Sequence, residues 1–259
     1  ADYDNDGDQD VYVGRKYGHN WFFENQTLTG TPGDVTYHSN PEPFFIEKAL
    51  ELGIADPEVN EIGSMGYGAA WGDYDNDQDF DLYLANWGVN RLFNNENNIF
   101  SNVADVQYVE SEELSNGVSW GDYNNDGMLD LWTSNIRNPD DVFINLGNSE
   151  WDKTSSPQFL SATQDVVSGD INGDGWLDVF AAGLKMQNGP DGAKYTSLLY
   201  KNVTVDSSFS TNHWLKLKLE GSQYALPNGE WSDKSNLSAI GARVVLHLSD
   251  QDIMREVIA

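Results

Sequence analysis

The sequence predicts an all-β protein, and three observations support this prediction. A nine-residue acidic loop occurs four times in the chain. Each copy runs into a short segment of aliphatic and aromatic residues, which is typical of a β-strand. The last three copies begin at a nearly constant interval, and a fixed period indicates a repeated supersecondary unit. The copies are loop 1 (residues 2–10), loop 2 (73–81), loop 3 (122–130) and loop 4 (170–178).

The acidic residues of these loops suggest a metal site. Loop 2 reads Asp-Tyr-Asp-Asn-Asp-Gln-Asp-Phe-Asp, with an acid at every second position. Clustered carboxylates repel one another, and Asp is a poor strand former. A hard cation would relieve the repulsion, and Ca²⁺ takes six to eight oxygen ligands. A solvated acidic turn is the alternative for one copy, but four copies in one chain favour calcium loops.

The pattern of fixed and variable positions agrees with coordination chemistry. Positions 1, 5 and 9 are Asp in all four loops, and position 3 is Asp or Asn. Position 6 is Gly in three loops, where a sharp turn favours a positive φ, but it is Gln78 in loop 2. Position 7 varies freely, as expected if it contributes only its backbone carbonyl.

The bulk composition excludes some partners. The chain has 259 residues, 42 acidic residues and a net charge of −28, which argues against nucleic acid and anionic membrane surfaces. It has no cysteine and no apolar run of about 20 residues, so neither disulfides nor a membrane span are expected. Millimolar extracellular calcium suits weak loops of this kind, so we expect an extracellular or cell-surface protein.

The segments around the loops predict four-stranded sheets. Trp-Gly precedes loops 2 and 3, an aliphatic–aromatic strand follows each loop, and a third strand ends near Asn25, Asn95, Asn145 and Asn202. Four strands in about 48 residues match one blade of a β-propeller. Fourth strands are predicted at residues 44–46, 99–100 and 158–160, a loop at residues 27–43 and a short helix at residues 47–52.

A change in the sequence pattern indicates a second structural unit. Residues 213–220 and 240–248 alternate apolar and polar side chains around a polar loop, without a fifth calcium loop. We therefore assign residues 1–209 to propeller repeats and residues 210–259 to a small β-module.

These motifs resemble known families. The acidic loop, with Trp-Gly before it and a strand after it, resembles the FG-GAP/VCBS repeats of integrin α-like propellers. The tail resembles the ASPIC/UnbV module of cartilage-acidic-protein-like extracellular proteins. The resemblance implies up to four Ca²⁺, held by side chains at positions 1, 3, 5 and 9 and by the carbonyl at position 7. The implied ligands are Asp2, Asp4, Asp6, Asp8, Asp10, Asp73, Asp75, Asp77, Asp79, Asp81, Asp122, Asn124, Asp126, Met128, Asp130, Asp170, Asn172, Asp174, Trp176 and Asp178.

The chain also departs from those families. Loops 3 and 4 have three carboxylates each against five in loops 1 and 2, so weaker binding is expected there. Such propellers usually have seven blades, whereas four repeats are visible here, and the first lacks the strand that precedes its loop. The sequence is therefore either a piece of a longer protein or one whose missing strands come from neighbouring chains.

Catalytic motifs are weak. An EF-hand needs a bidentate Glu at position 12, but the four loops have Val13, Leu84, Thr133 and Ala181 there. The G-x-S-x-G match at residues 117–121 leads into a loop instead of a helix. The favoured function is a non-catalytic adhesion or interaction protein that binds a protein or glycan. The alternatives are a fibre or surface-layer subunit that self-assembles by strand sharing and, last, a polysaccharide-acting enzyme.

Overall fold

The computed structural model confirms the all-β prediction. The residues that it describes contain eighteen strands and no helix. Within this part of the chain, no segment is a helix with the length and apolarity that a membrane span requires. The described residues are 1–31, 34–38, 43–56, 65–157, 162–183, 197–203, 243–247 and 252–256.

The first sheet has three antiparallel strands, β1 (Val11–Val13), β2 (Trp21–Asn25) and β5 (Phe45–Glu47), in the order β1-β2-β5. A separate hairpin of β3 (Leu28–Thr31) and β4 (Asp34–Tyr37) interrupts it. The predicted strands near Asn25 and at residues 44–46 are therefore confirmed.

Two predictions for this region are wrong. The segment 27–43, predicted as a loop, contains the antiparallel pair β3–β4, because Thr, Val and Tyr favour the strand conformation. The segment 47–52, predicted as a short helix, begins as the end of β5 and continues as turns. The backbone NH groups of Leu52 and Ile54 bond to the carbonyls of Lys48 and Ala49. Six residues are too few to propagate a helix beyond such turns.

The second and third sheets each have four antiparallel strands in sequence order. In both, the first strand precedes an acidic loop and the second follows it. The fourth strand of the third sheet lies earlier than predicted, and residues 158–160 are outside the described residues. The strands are β6 (Met65–Gly72), β7 (Asp81–Trp87), β8 (Arg91–Glu96), β9 (Ile99–Asn102), β10 (Ser115–Gly121), β11 (Asp130–Asn135), β12 (Asp141–Gly147) and β13 (Glu150–Ser155).

The fourth sheet contains β14 (Thr163–Gly169), β15 (Asp178–Gly183) and β16 (Leu198–Tyr200), again in sequence order. The last pair is a hairpin of β17 (Arg243–His247) and β18 (Asp252–Glu256). It confirms a strand within residues 240–248. The predicted strand at residues 213–220 and the module boundary at residue 210 lie outside the described residues.

In the described part of the chain, the core consists of three clusters, each between two neighbouring sheets. Position 2 of loops 1, 2 and 3 is a buried tyrosine that packs in these clusters: Tyr3, Tyr74 and Tyr123. Trp71 packs against the first cluster and Trp120 against the second. Residues that alternate along each strand thus fill the space between sheets, as in other layered β proteins.

Glycines on the first strands allow neighbouring sheets to approach closely. A Cβ on Gly68 of β6 would lie 3.0 Å from the Gly117 Cα of β10 and even closer to the Asn116 carbonyl. A Cβ on Gly117 would lie 2.8 Å from the Asp165 Cα of β14. These contacts involve backbone atoms, which cannot move aside as a flexible side chain can. Gly68 and Gly117, which precede loops 2 and 3, are therefore packing requirements.

We expect Gly68→Ala to lower the free energy of unfolding by about 1–3 kcal/mol, because the added methyl group forces β6 away from β10. Thermal and urea unfolding measure the loss. Gly169→Ala is the matched control, since a Cβ there meets no atom within 4 Å. Equal stability of the two variants would contradict the close-approach explanation.

Candidate metal centres

Each acidic loop has the same backbone path, set by two left-handed residues. Position 4 has a positive φ in all loops: 62° at Asn5, 61° at Asn76, 55° at Asn125 and 76° at Gly173. Position 6 also has a positive φ, which is 79° at Gln78 and 88–102° at the three glycines. Asn and Gly adopt this region at least cost. The sequence predicted the turn at position 6, but the requirement at position 4 was missed although Asn recurs there.

Short side-chain-to-backbone hydrogen bonds explain the spacing of two between the acids. The position-3 oxygen accepts the NH of position 5, as between Asn172 and Asp174 at 2.8 Å. The position-5 carboxylate accepts the NH of position 7, as between Asp77 and Asp79 at 2.8 Å. In loops 1 and 2, carboxylate oxygens also come within 4.8 Å of one another. Asx turns also form in solvated acidic loops, so they do not by themselves indicate a metal site. The burial of the remaining carboxylate oxygens distinguishes the two cases.

Position 1 shows that burial most clearly. The position-6 NH donates to Asp2, Asp122 and Asp170 over 2.9–3.1 Å in loops 1, 3 and 4. In loop 2, Asp73 is 1 % exposed and neither of its carboxylate oxygens accepts a hydrogen bond. The NH groups of Gln78 and Asp77 lower its pKa but do not reach hydrogen-bonding geometry. Burial outweighs them and raises the pKa of Asp73 to about 6.

Position 9 is fixed by two backbone donors. In loop 3, Asp130 accepts the Tyr123 NH at 2.7 Å on one oxygen and the Asn145 NH at 2.8 Å on the other. The first donor belongs to the loop and the second to the third strand of the same sheet, so the carboxylate ties the two together. Asp10, Asp81 and Asp178 make the same pair of bonds and are equally buried.

Side chains at position 7 point away from the loop centres. Asp8 accepts the NH of Leu28 at 2.6 Å, and Asp79 accepts the NH of Asn97 at 2.8 Å. The Met128 sulfur accepts the Asn76 amide. This arrangement is consistent with the expectation that position 7 contributes its carbonyl.

Three groups of carboxylates are close enough to share a cation, each with ligand atoms within 4.8 Å of one another. One group lies in loop 1, where Asp2, Asp4 and Asp6 meet. The two others lie in loop 2 and share Asp75. Within the described residues, loops 3 and 4 gather no such trio, since Asn124 and Asn172 occupy position 3. The trios of loop 2 are Asp73, Asp75 and Asp81, and Asp75, Asp77 and Glu96.

Sequence reasoning missed Glu96, the last residue of β8. It also missed Glu24 of β2, whose charge raises the pKa of Asp4 and which accepts a 2.7 Å hydrogen bond from the Tyr3 hydroxyl. Both acids directly adjoin the asparagine that ends each third strand. That proximity was the available signal, but neither acid recurs from repeat to repeat.

Neighbouring loops are joined by asparagine side chains. Asn145 donates its amide to the Tyr74 carbonyl of loop 2 and to the Leu129 carbonyl of its own loop, at 2.8 and 3.2 Å. Asn202 bonds the Tyr123 carbonyl of loop 3 at 2.8 Å. The position-4 asparagines bond instead to the following loop, as Asn125 of loop 3 does to the Gly175 carbonyl of loop 4 at 3.0 Å. The loops therefore form one hydrogen-bonded series.

Arg255 of β18 reaches this series as well. Its guanidinium donates to the Gly127 carbonyl at 3.3 Å, and its charge lowers the pKa values of Asp73 and Asp122. The C-terminal hairpin thus lies against loops 2 and 3.

The donor set of loops 1 and 2 fits calcium. All side-chain donors are oxygens, which suit hard cations. Buried oxygens of Asp4 and Asp73 accept no hydrogen bond, and such oxygens carry a free-energy penalty without a positive partner. A cation would supply that partner.

Comparison with known proteins agrees with the repeat. Residues 73–133 and 122–181 each match the family model described as FG-GAP-like repeat. The chain carries two FG-GAP-like repeats. Each match starts at position 1 of one loop and ends in the strand that follows the next loop. No curated protein that was compared matches the chain.

We expect Gln78→Gly to raise the free energy of unfolding by about 0.5–1 kcal/mol. A non-glycine residue pays about 1–2 kcal/mol for the left-handed region, partly offset by the greater flexibility of an unfolded glycine. Urea unfolding measures the gain. The reciprocal control is Gly127→Gln in loop 3, which should destabilise, and a stabilising effect there would contradict the argument.

We expect the calcium-free protein to lose stability as pH rises from about 5 to about 8. Burial raises the pKa of Asp10 and Asp130 to about 8, and burial with neighbouring carboxylates raises that of Asp4 and Asp77 to about 7. Unfolded Asp titrates near 4, so the folded state binds more protons across this range, and deprotonation favours unfolding.

Thermal melts in calcium-free buffer across that pH range measure this effect. The same series with calcium is the control, because a bound cation replaces the protons and should flatten the dependence. A melting temperature that rises with pH without calcium would contradict the prediction.

Proposed function

We propose that this protein is an extracellular, non-catalytic binding or adhesion protein in which calcium bound by the four loops rigidifies propeller blades. The observation that carries the proposal is Asp73, a buried carboxylate with no hydrogen-bond donor, inside a trio of carboxylates. The FG-GAP-like repeats support an integrin-like, extracellular propeller type.

The position of the loops explains why the calcium would be structural. Each of loops 2, 3 and 4 connects the first two strands of a sheet, and position 9 binds the third strand. A cation among positions 1, 3 and 5 removes the repulsion between carboxylates that this backbone path brings together. Binding to the folded state alone stabilises it by about 2.7 kcal/mol at a free concentration 100 times Kd.

Buried acids outside the loops have structural partners, which supports a non-catalytic role. Asp56 pairs with Arg91 at 3.2 Å, and Asp141 pairs with Lys153 at 3.1 Å. Asp140 accepts bonds from the Trp132 indole and from the Asn135 NH. These contacts hold strand ends in place at the opposite ends of the sheets from the acidic loops.

The proposed partner is a protein or a glycan, and a tryptophan exposed near a loop would suit the surface that binds it. Trp21 is 42 % exposed, with the Arg15 guanidinium 4.0 Å from its ring centroid. Trp87 stacks on Tyr67, and Trp151 packs against the second core cluster. Trp231 lies outside the described residues. Trp21 is therefore the candidate that we favour.

We expect removal of calcium to lower the melting temperature by several degrees or more at pH 7.5 and to expose tryptophan. The physical reason is that the buried loop carboxylates lose the cation that offsets their mutual repulsion. Melts followed by tryptophan fluorescence, in about 1 mM calcium and in excess chelator, measure the shift. Magnesium at the same concentration is the control ion, since its smaller octahedral shell fits these loops poorly.

Variants assign the effect to the loops. Asp126→Ala and Asp174→Ala should each reduce the calcium-dependent part of the melting temperature. Asp152→Ala, an exposed acid of β13, should not. An unchanged melt of the wild-type protein in chelator would refute calcium as a structural ion, and equal effects of the three variants would refute the loops as its site.

A further inference from the structure

An aromatic residue on the second strand of each sheet makes the contact with the following sheet. It stands at position 11, counted from the start of the acidic loop, in all four repeats. In the first three repeats it packs in the cluster between its own sheet and the next one. In the fourth sheet the equivalent residue, Phe180, is 44 % exposed. The four residues are Tyr12, Tyr83, Trp132 and Phe180.

Phe180 belongs to an exposed apolar face of the fourth sheet, which we call the rear face. Phe180 pairs with Val167 of β14 and with Leu199 of β16, so the three side chains lie side by side. Ile171 of loop 4 holds the position that is a buried tyrosine in loops 1, 2 and 3. All four side chains are between 44 and 62 % exposed. The terminal unit of a repeat series needs a polar outer face when water covers it, and the rear face is apolar.

The first sheet exposes the opposite side, which we call the front face. Val11 of β1 is 44 % exposed and pairs with Phe23 of β2, and Trp21 lies two residues from Phe23 on the same face. The residues equivalent to Val11 in the other sheets are at most 2 % exposed, because each packs in the cluster shared with the preceding sheet. These equivalents are Leu82, Leu131 and Val179.

The rear face and the front face are the two halves of one kind of contact. In each core cluster, the position-11 aromatic of one sheet lies with the position-10 residue of the next sheet. The pairs are Tyr12 with Leu82, Tyr83 with Leu131, and Trp132 with Val179. The chain thus forms this contact three times. Phe180 and Val11 are the corresponding residues at its two exposed ends.

Hydrogen bonds between the loops follow the same rule. In the second, third and fourth sheets, the asparagine that ends the third strand donates to the position-2 carbonyl of the preceding loop. The bonds run from Asn95 to Tyr3, from Asn145 to Tyr74 and from Asn202 to Tyr123, at 3.4, 2.8 and 2.8 Å. Asn25 is the equivalent donor in the first sheet, and the Ile171 carbonyl is the equivalent acceptor in loop 4. The two ends therefore match in polar groups as well as in apolar ones.

We propose that the front face binds the rear face of a second copy of this chain. A second copy presents the same residues at the same spacing as the contact that already joins successive sheets, and burial of the two apolar faces drives the association. Because the two faces differ, the contact is head to tail and gives either a closed ring or an open row of copies. The second copy is the protein partner of the proposed function, on which this inference rests, since Trp21 lies on the front face.

Sedimentation velocity in calcium, over a range of protein concentrations, tests the contact. The wild type should sediment as dimers or larger species. Val11→Lys on the front face and Phe180→Lys on the rear face should each give monomers, because each places a charge in an apolar contact. Ile99→Lys is the matched control, since Ile99 of β9 is 70 % exposed and lies on neither face, and it should sediment as the wild type does.

A mixture of the two monomeric variants tests the direction of the contact. Val11→Lys keeps an intact rear face and Phe180→Lys keeps an intact front face, so an equimolar mixture should form a dimer with one copy of each. A mixture that stays monomeric would refute the head-to-tail contact, and so would assembly of either variant alone. A monomeric wild type would refute the second copy as the occupant, and this result decides even if a variant does not fold.

Melts of the wild type in calcium and in chelator keep this inference apart from the proposed function. A monomer whose melting temperature depends on calcium would refute the contact and leave the structural calcium in place. An assembly whose melting temperature ignores the chelator would support the contact and refute the structural calcium.

Discussion

The hydrogen bonds accepted by the position-9 aspartate are the interaction on which the repeat depends. Asp130 is fully buried and binds one NH at the start of its loop and one in the third strand. Removal of this side chain would leave two buried backbone donors without acceptors, at a cost of about 1–3 kcal/mol each. The loop therefore folds back on its own sheet before any cation is considered.

The same bond places the residue that joins one sheet to the next. The strand asparagine whose NH reaches position 9 directs its side-chain amide at the preceding loop, as Asn145 does toward the Tyr74 carbonyl. Tyr74 packs in the cluster between the second and third sheets. The polar and apolar contacts between sheets thus begin at the same loop residue, so a distortion of one loop affects its neighbour directly.

Much of the architecture could be predicted because it recurs. Position 9, the flanking strands and the glycines before the loops appear in several copies, and recurrence separates a structural requirement from chance. Features that occur once gave no such signal. The β3–β4 hairpin, Glu96 and the contact of Arg255 with Gly127 depend on how one region folds against another. Spacing along the chain carries no information about those contacts.

The shift of the fourth strand in the third sheet has a similar cause. Residues 150–155 read as charged and polar, which hides a strand whose side chains are mostly exposed. The strand forms because residues 148 and 149 both adopt positive φ and close a tight hairpin with β12. Turn geometry decided the outcome here, and hydrophobic pattern did not.

The four loops share one backbone conformation but differ in the number of their carboxylates. This difference ranks the loops by how strongly their stability would depend on a cation. Loops 1 and 2 each bring at least three carboxylates together, and burial with mutual repulsion raises the pKa of Asp4 and Asp77 to about 7. Loop 4 has an amide at position 3, and Lys201 lies 3.8 Å from Asp174. Loss of the proposed cations would therefore cost the first two sheets more free energy than the last two. Because asparagines join successive loops, such a disturbance would spread from loops 1 and 2 toward the last two sheets.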